Sequence, residues 1–139
     1  DYNFEIGKGI ILKEGKDIAI FATGTMVYES IEASKILETK GISAKVINIH
    51  SIKPFDTKLV ESISKEVKLI VTVEEHSLTG GLGSCVAEVN SKIKNSAPQV
   101  SLGLPLQFGK SEHYQDMLKS YNLTAPQIAQ NIIKQFSNV

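Results

Sequence analysis

A chain of 139 residues is the size of one domain, which buries roughly two-thirds of its unfolded surface and so holds a core without a disulfide or a metal. Its 15 basic and 15 acidic residues cancel, which argues against sequence-independent nucleic-acid binding or attachment to an anionic membrane. Every basic residue is Lys, so the planar clamp that Arg makes on phosphate or carboxylate is missing, and an anion would have to meet Lys, His, hydroxyls or backbone N–H groups.

The single cysteine, Cys85, leaves no disulfide framework and suits a reducing cytoplasm. No apolar run approaches the roughly 18 residues of a membrane span, and no charged-then-apolar leader is present. The chain opens with Asp1 and not Met, which is expected of a piece of something longer. Residues 1–8, DYNFEIGK, read as the tail of a linker from an upstream domain, and 9–139 as the domain itself.

In order, Gly9 to Lys13 is a short apolar run, Glu14-Gly15-Lys16 a turn, and Asp17 to Ala22 a second strand close enough to pair with the first as a hairpin, with the first at an antiparallel edge. Thr23-Gly24-Thr25 leads into a helix from Met26 to Thr39 that Gly41 stops. Ala44 to Ile49 is the next strand, followed by His50-Ser51-Ile52-Lys53-Pro54-Phe55. Asp56 caps a helix carrying Leu59, Val60, Ile63 and Val67. Lys68 to Val73 is a strand that ends where Glu74-Glu75-His76 begins. Gly80-Gly81-Leu82-Gly83 then turns into a helix with Leu82, Val86, Val89 and Ile93 at helical spacing. Gln99 to Leu104 is the last strand, ended by Pro105. Ser111 caps a helix with Tyr114, Met117, Leu118 and Tyr121 on one side, and Thr124-Ala125-Pro126-Gln127 fits a capping box opening the final helix.

Repeated β-α units imply a three-layer αβα domain, with four parallel strands and one antiparallel edge strand under helices on both faces. Parallel strands present their carboxyl ends at one rim. Thr23-Gly24-Thr25, His50-Ser51, Glu74-Glu75-His76 and Gly103 to Gln107 therefore belong together, where a ligand or partner is expected.

Two chemistries fit that rim, each beside a plainer reading. His76 with its carboxylate neighbours makes an acid/base pair, or Glu74 and Glu75 cap the strand end while His76 bonds the backbone, since adjacent strand residues point to opposite faces. The glycines Gly80, Gly81 and Gly83 cradle an anion at a helix N-terminus, or are only a turn. They match neither the dinucleotide fingerprint nor a P-loop. His50 and Lys53 form a cationic pair beside a Pro turn, or are simply solvated. Thr23 and Thr25 serve the strand-to-helix turn, His113 is a surface histidine and Cys85 a small core residue. Metal-ligand spacing is absent from the sequence, as is a nucleophile pair.

The series DIAIFATGTMVYESIEA, GISAKVINIHSIKPFD, VTVEEHSLTGGLGS and LTAPQIAQNI resembles the C-terminal domain of the transketolase family of thiamine-diphosphate enzymes, in order and spacing, from about Gly7 to the last helix. The same domain occurs in 1-deoxyxylulose-5-phosphate synthases and in 2-oxoacid dehydrogenase β subunits. INIHSIKPFD and EEHSLTGGLGS are most similar to transketolases, especially those split into two subunits.

The resemblance implies a parent that moves a two-carbon ketol unit from a ketose phosphate to an aldose phosphate in the pentose phosphate pathway. In such enzymes two other domains hold thiamine diphosphate and Mg2+, so no cofactor is expected on this chain. Its partners would be those upstream domains or subunit and a second copy in a homodimer. The family's corner matches Glu75-His76 and Gly80-Gly81-Leu82-Gly83, without a settled catalytic role. One departure is that Ser111 is followed by Glu112 and His113, where relatives have Gly after Ser. A different class also stays open, a regulatory module whose glycine corner binds a small anion.

Overall fold

The computed structural model describes residues 3–106 and 113–139. Five strands, β1 (Ile10–Lys13), β2 (Ile18–Ala22), β3 (Ala44–Asn48), β4 (Leu69–Ser77) and β5 (Gln99–Leu104), form one sheet in the order β1-β3-β2-β4-β5. β1 runs antiparallel to β3, and all other pairings are parallel. Five helices cover it: α1 (Met26–Thr39), α2 (Thr57–Ile63), α3 (Leu82–Asn90), α4 (Tyr114–Ser120) and α5 (Ala125–Phe136).

Strand alternation sorts the core into two halves. Ile18, Ile20 and Ala22 of β2 face a cluster with Met26, Ala33, Leu37, Leu118, Ile128 and Ile132 of α1, α4 and α5. Ala19 and Phe21 face Val60, Ile63, Leu82 and Val86 of α2 and α3. β2 is buried along its whole length, as a central strand covered on both faces must be. Burying Phe21 or Ile20 completely stabilises the fold by roughly 1.5–3 kcal/mol each.

The first two strands do not form the expected hairpin. β1 is an antiparallel edge strand, but its partner is β3, with Ile10 opposite Asn48 and Ile11 opposite Ile47. A strand as apolar as β2 gains most between two other buried strands, whereas the half-exposed β1 suits an edge. The connection is fixed from β3: a Cβ on Gly15 would overlap the backbone of Ala44 and Lys45, and Asp17 Oδ2 accepts from Ser43 N at 2.9 Å.

Three boundaries also differ from expectation. α3 ends at Asn90, leaving Ile93 to pack on the core from the connection after it. α2 ends at Ile63, and Val67 is buried in the connection after it. β4 continues to Ser77, because four steps on β4, from Val73 to Ser77, match two on β5, from Leu102 to Leu104. This irregularity holds Glu74, Glu75 and His76 in extended backbone instead of releasing them into a loop. Elsewhere local signals hold. Asp56 accepts from Leu59 N at 3.2 Å as N-cap of α2, Gly41 takes φ +75° after α1, and Thr124 and Gln127 form the capping box of α5. Gln107 of the expected rim, Ser111 and Glu112 lie outside the described residues.

Candidate functional site

The chain steps from β2 through α1 to β3 on one side, then from β3 through α2 past β2 to β4 on the other. A reversal of this kind opens a crevice outside the carboxyl ends of the two strands. The reversal falls between β2 and β4, whose ends are joined by the Thr25–Glu75 hydrogen bond, and a groove of about 590 Å³ opens beside it, between the ends of β2 and β3, lined by Thr23, Gly24, Thr25, Tyr28, Asn48 and His50 among others. His50 is held by its surroundings: Nε2 lies 3.0 Å from Glu5 O and the Phe4 ring packs on the imidazole at 4.4 Å. Lys53 lines a separate cleft with Cys85 and Glu88, so His50 and Lys53 are not assembled as a pair.

On β4, alternation decides the fate of the polar run. Ile70, Thr72, Glu74 and His76 share the α3 face, and Val71, Val73 and Glu75 share the other. Glu75 and His76 are therefore on opposite faces of the strand. Glu75 Oε2 accepts from Thr25 Oγ1 at 2.7 Å and from Tyr114 Oη at 3.2 Å, which ties the β2 and β4 ends to α4. Burial, with the Glu75 carboxylate adding to it, raises the Tyr114 phenol above its ordinary pKa. Thr25 donates its hydroxyl to Glu75 and, with helical backbone at φ −63° and ψ −24°, makes no side-chain cap to α1.

Glu74 was expected either to partner His76 or to finish the strand, and it instead organises the glycine corner. It is 1% exposed, and its Oε2 and Oε1 accept from Leu82 N and Gly83 N, each at 2.8 Å. The carboxylate thus sits where an anion bound to the α3 N-terminus would sit, on the same N–H groups and the same end of the helix dipole. Gly81 lies against it, and a Cβ there would collide with Glu74 Oε2. Gly83 lets α3 approach the sheet, since a Cβ would come within 2.8 Å of Ser101 Oγ. Gly80 supplies the turn with φ +82°. The anion cradle read from these glycines is thereby filled from within the chain. His76 is largely exposed, its Nδ1 3.0 Å from Ser77 O and 4.0 Å from Glu74 Oε2.

The rim therefore brings together Thr23, Thr25 and His50 around one groove, Thr25 and Glu75 in one hydrogen bond, and Glu74, Gly81 and Gly83 in one internal cap. His113 is exposed at the N-cap of α4. Cys85 is half-buried within α3, not a core residue, and burial pushes its thiol up, away from reactivity. Tyr114 and Tyr28 escaped the sequence reading as rim residues. Helical spacing placed Tyr114 on an apolar face, and no local signal reports its bond to Glu75.

The family described as "Transketolase, C-terminal domain" matches residues 7–128. The chain is 40% identical over 132 residues to a putative transketolase C-terminal section of Methanocaldococcus jannaschii, covering 95% of this chain and 41% of that protein. It is 38% identical over 137 residues to the 1-deoxy-D-xylulose-5-phosphate synthase of Caldanaerobacter subterraneus subsp. tengcongensis, covering 99% of this chain and 22% of the synthase. A solved split-gene transketolase, an inactive beta4 tetramer, superposes with a TM-score of 0.90 at 42% identity, covering 98% of this chain and 44% of that one. A Pichia stipitis transketolase solved with xylulose 5-phosphate gives 0.69 at 26% identity, over 94% of this chain and 18% of that one. This chain thus spans less than half the length of each of these relatives.

Such enzymes depend on thiamine diphosphate in general, and the described residues here do not fit that group. The glycine corner at a helix N-terminus is filled by Glu74, and among the described residues no cluster of three or more His, Cys, Asp or Glu could hold a metal ion. Likewise, no helix among them is long and apolar enough to cross a membrane. With a family match over most of its length and the mixed five-stranded sheet to go with it, the chain belongs to the transketolase C-terminal domains.

Proposed function

We propose that the chain is the C-terminal domain of an enzyme that transfers a two-carbon ketol unit from a ketose phosphate to an aldose phosphate. Its share in that work is packing and dimerisation, while thiamine diphosphate and Mg2+ are held by the upstream part of the parent, to which residues 1–8 are the linker. The observation that carries this reading is the internal cap. Glu74 occupies the α3 N-terminus that the glycine corner opens, so the domain's most ligand-like feature is spent on its own rigidity. The same observation weighs against a regulatory module that binds an anion there. A neighbour described as a split-gene transketolase in an inactive beta4 tetramer supports both parts of the reading, a section that associates with itself and lacks activity alone.

A second reading has its own support, because relatives named 1-deoxy-D-xylulose-5-phosphate synthase match at 36–38% identity over nearly the whole chain. The two readings differ in the parent's donor. Parent enzyme, or its mixed sections, given a ketose phosphate with an aldose phosphate should release the shortened aldose. Turnover of pyruvate instead, with no cleavage of ketose phosphate, would move the parent to the synthase branch.

A further inference from the structure

The segment before β1 does not hang free. Phe4 packs on His50 at 4.4 Å, Glu5 O meets His50 Nε2 at 3.0 Å, and Gly9 N donates to Asp56 Oδ2 at 3.0 Å. A turn closed by Lys8 N to Glu5 O at 3.1 Å places Gly7 against Pro54. The chain therefore reaches β1 by crossing the rim at the carboxyl end of β3.

The same rim carries most of the exposed apolar surface. Among the described residues, six of the nine exposed large hydrophobic side chains lie on it: Phe4, Ile6, Tyr28, Leu78, Leu106 and Tyr114, with exposures from 38% to 79%. The others lie on the β1 edge or at the last residue. Nearby carboxylates are already engaged, Glu74 by two backbone N–H groups and Glu75 by Thr25 and Tyr114. A surface rich in Tyr, Phe and Leu, whose carboxylates at the end of β4 are already engaged, has the character of a protein interface core, not of a seat for a charged small molecule.

We propose that this rim is covered, in the parent enzyme, by the polypeptide that precedes this domain. Resting on the reading of the chain as the last domain of a longer enzyme, the occupant follows from two observations. Its family is named for the C-terminal domain, and the chain spans only 41% and 22% of two relatives. The segment that leads to that preceding polypeptide is laid on the rim itself, so the tether holds it at high effective concentration against these side chains.

Single cysteines test this in the full-length parent, or in the mixed sections of a split one, with Cys85 replaced by Ser. Tyr28→Cys and Leu106→Cys report the rim. Glu38→Cys and Lys92→Cys, whose side chains are 70% and 71% exposed, report surfaces away from it. Labelling by a small maleimide is followed peptide by peptide. Rim sites should react at least about tenfold more slowly than the controls, as protected groups do, and equally slowly on dilution. The two rim sites are read separately, so loss of fold in one variant leaves the other to decide. Equal reactivity at rim and controls would overturn the inference, and protection that fades on dilution of a single-chain parent would overturn it in favour of a second copy. Burial is measured apart from turnover: rim protection in a parent that lacks ketol transfer keeps the interface and rejects the proposed activity, and ketol transfer with a reactive rim does the reverse.

Discussion

Replacing Glu74 by Gln changes one atom and should cost a large part of the domain's stability. The side chain is 1% exposed and accepts two backbone N–H groups of α3 at 2.8 Å each. A hydrogen bond to a charged group contributes about 1.5–3 kcal/mol, and a negative charge at a partly buried helix N-terminus up to about 2 kcal/mol more. Glutamine keeps one acceptor, turns its NH2 toward the other N–H and removes the charge. Relief from burying a carboxylate offsets part of the loss, leaving a net of roughly 3 kcal/mol. With about 2.1 cal/mol/K per residue of unfolding entropy, a domain of this length shifts by about 3–4 °C per kcal/mol, so Tm should fall by roughly 10 °C. Differential scanning calorimetry reads this directly, with Glu75→Gln as the control. Glu75 bonds two side chains at a partly open position, and its loss should stay below about 1 kcal/mol. Equal, small shifts for the two variants would refute the internal cap as a stabilising element.

Two further outcomes follow from the same geometry. Gly81→Ala drives a Cβ into Glu74 Oε2 and should destabilise by about 1–3 kcal/mol, but much less in a Glu74→Ala background. A double-mutant cycle by urea unfolding measures that coupling, and strict additivity would contradict the contact. Asp17 is held below its ordinary pKa, first by Ser43 N and then by the Lys68 ammonium. A carboxylate with a depressed folded pKa stabilises above its unfolded value and loses that contribution as pH falls through the folded one. Stability should therefore decline below about pH 4, and Asp17→Asn should flatten that limb in acid unfolding curves.

Much of the fold was legible because the signals were local and periodic. α1 was expected over Met26 to Thr39 and occupies those residues. The caps at Asp56 and Thr124 rest on residues three apart in sequence. The failures needed information from elsewhere in the chain. Proximity suggested that β1 pairs with β2, but the demand of an all-apolar β2 for two buried neighbours sent β1 to β3. At the rim, alternation already separated Glu75 from His76. It could not reveal that Glu74 would meet the N–H groups of residues eight and nine positions on, because that depends on how α3 packs against the sheet. A glycine corner before a helix reads the same whether its anion is a ligand or a carboxylate of the same chain.

The measurement closest to the central claim is calorimetric titration of thiamine diphosphate with Mg2+ into this chain and, separately, into its parent enzyme. Saturable binding to the parent and none to the chain is the expected result, since the chain's glycine corner is filled by Glu74. Saturable binding to the chain alone at micromolar concentration, about −8 kcal/mol, would contradict the account.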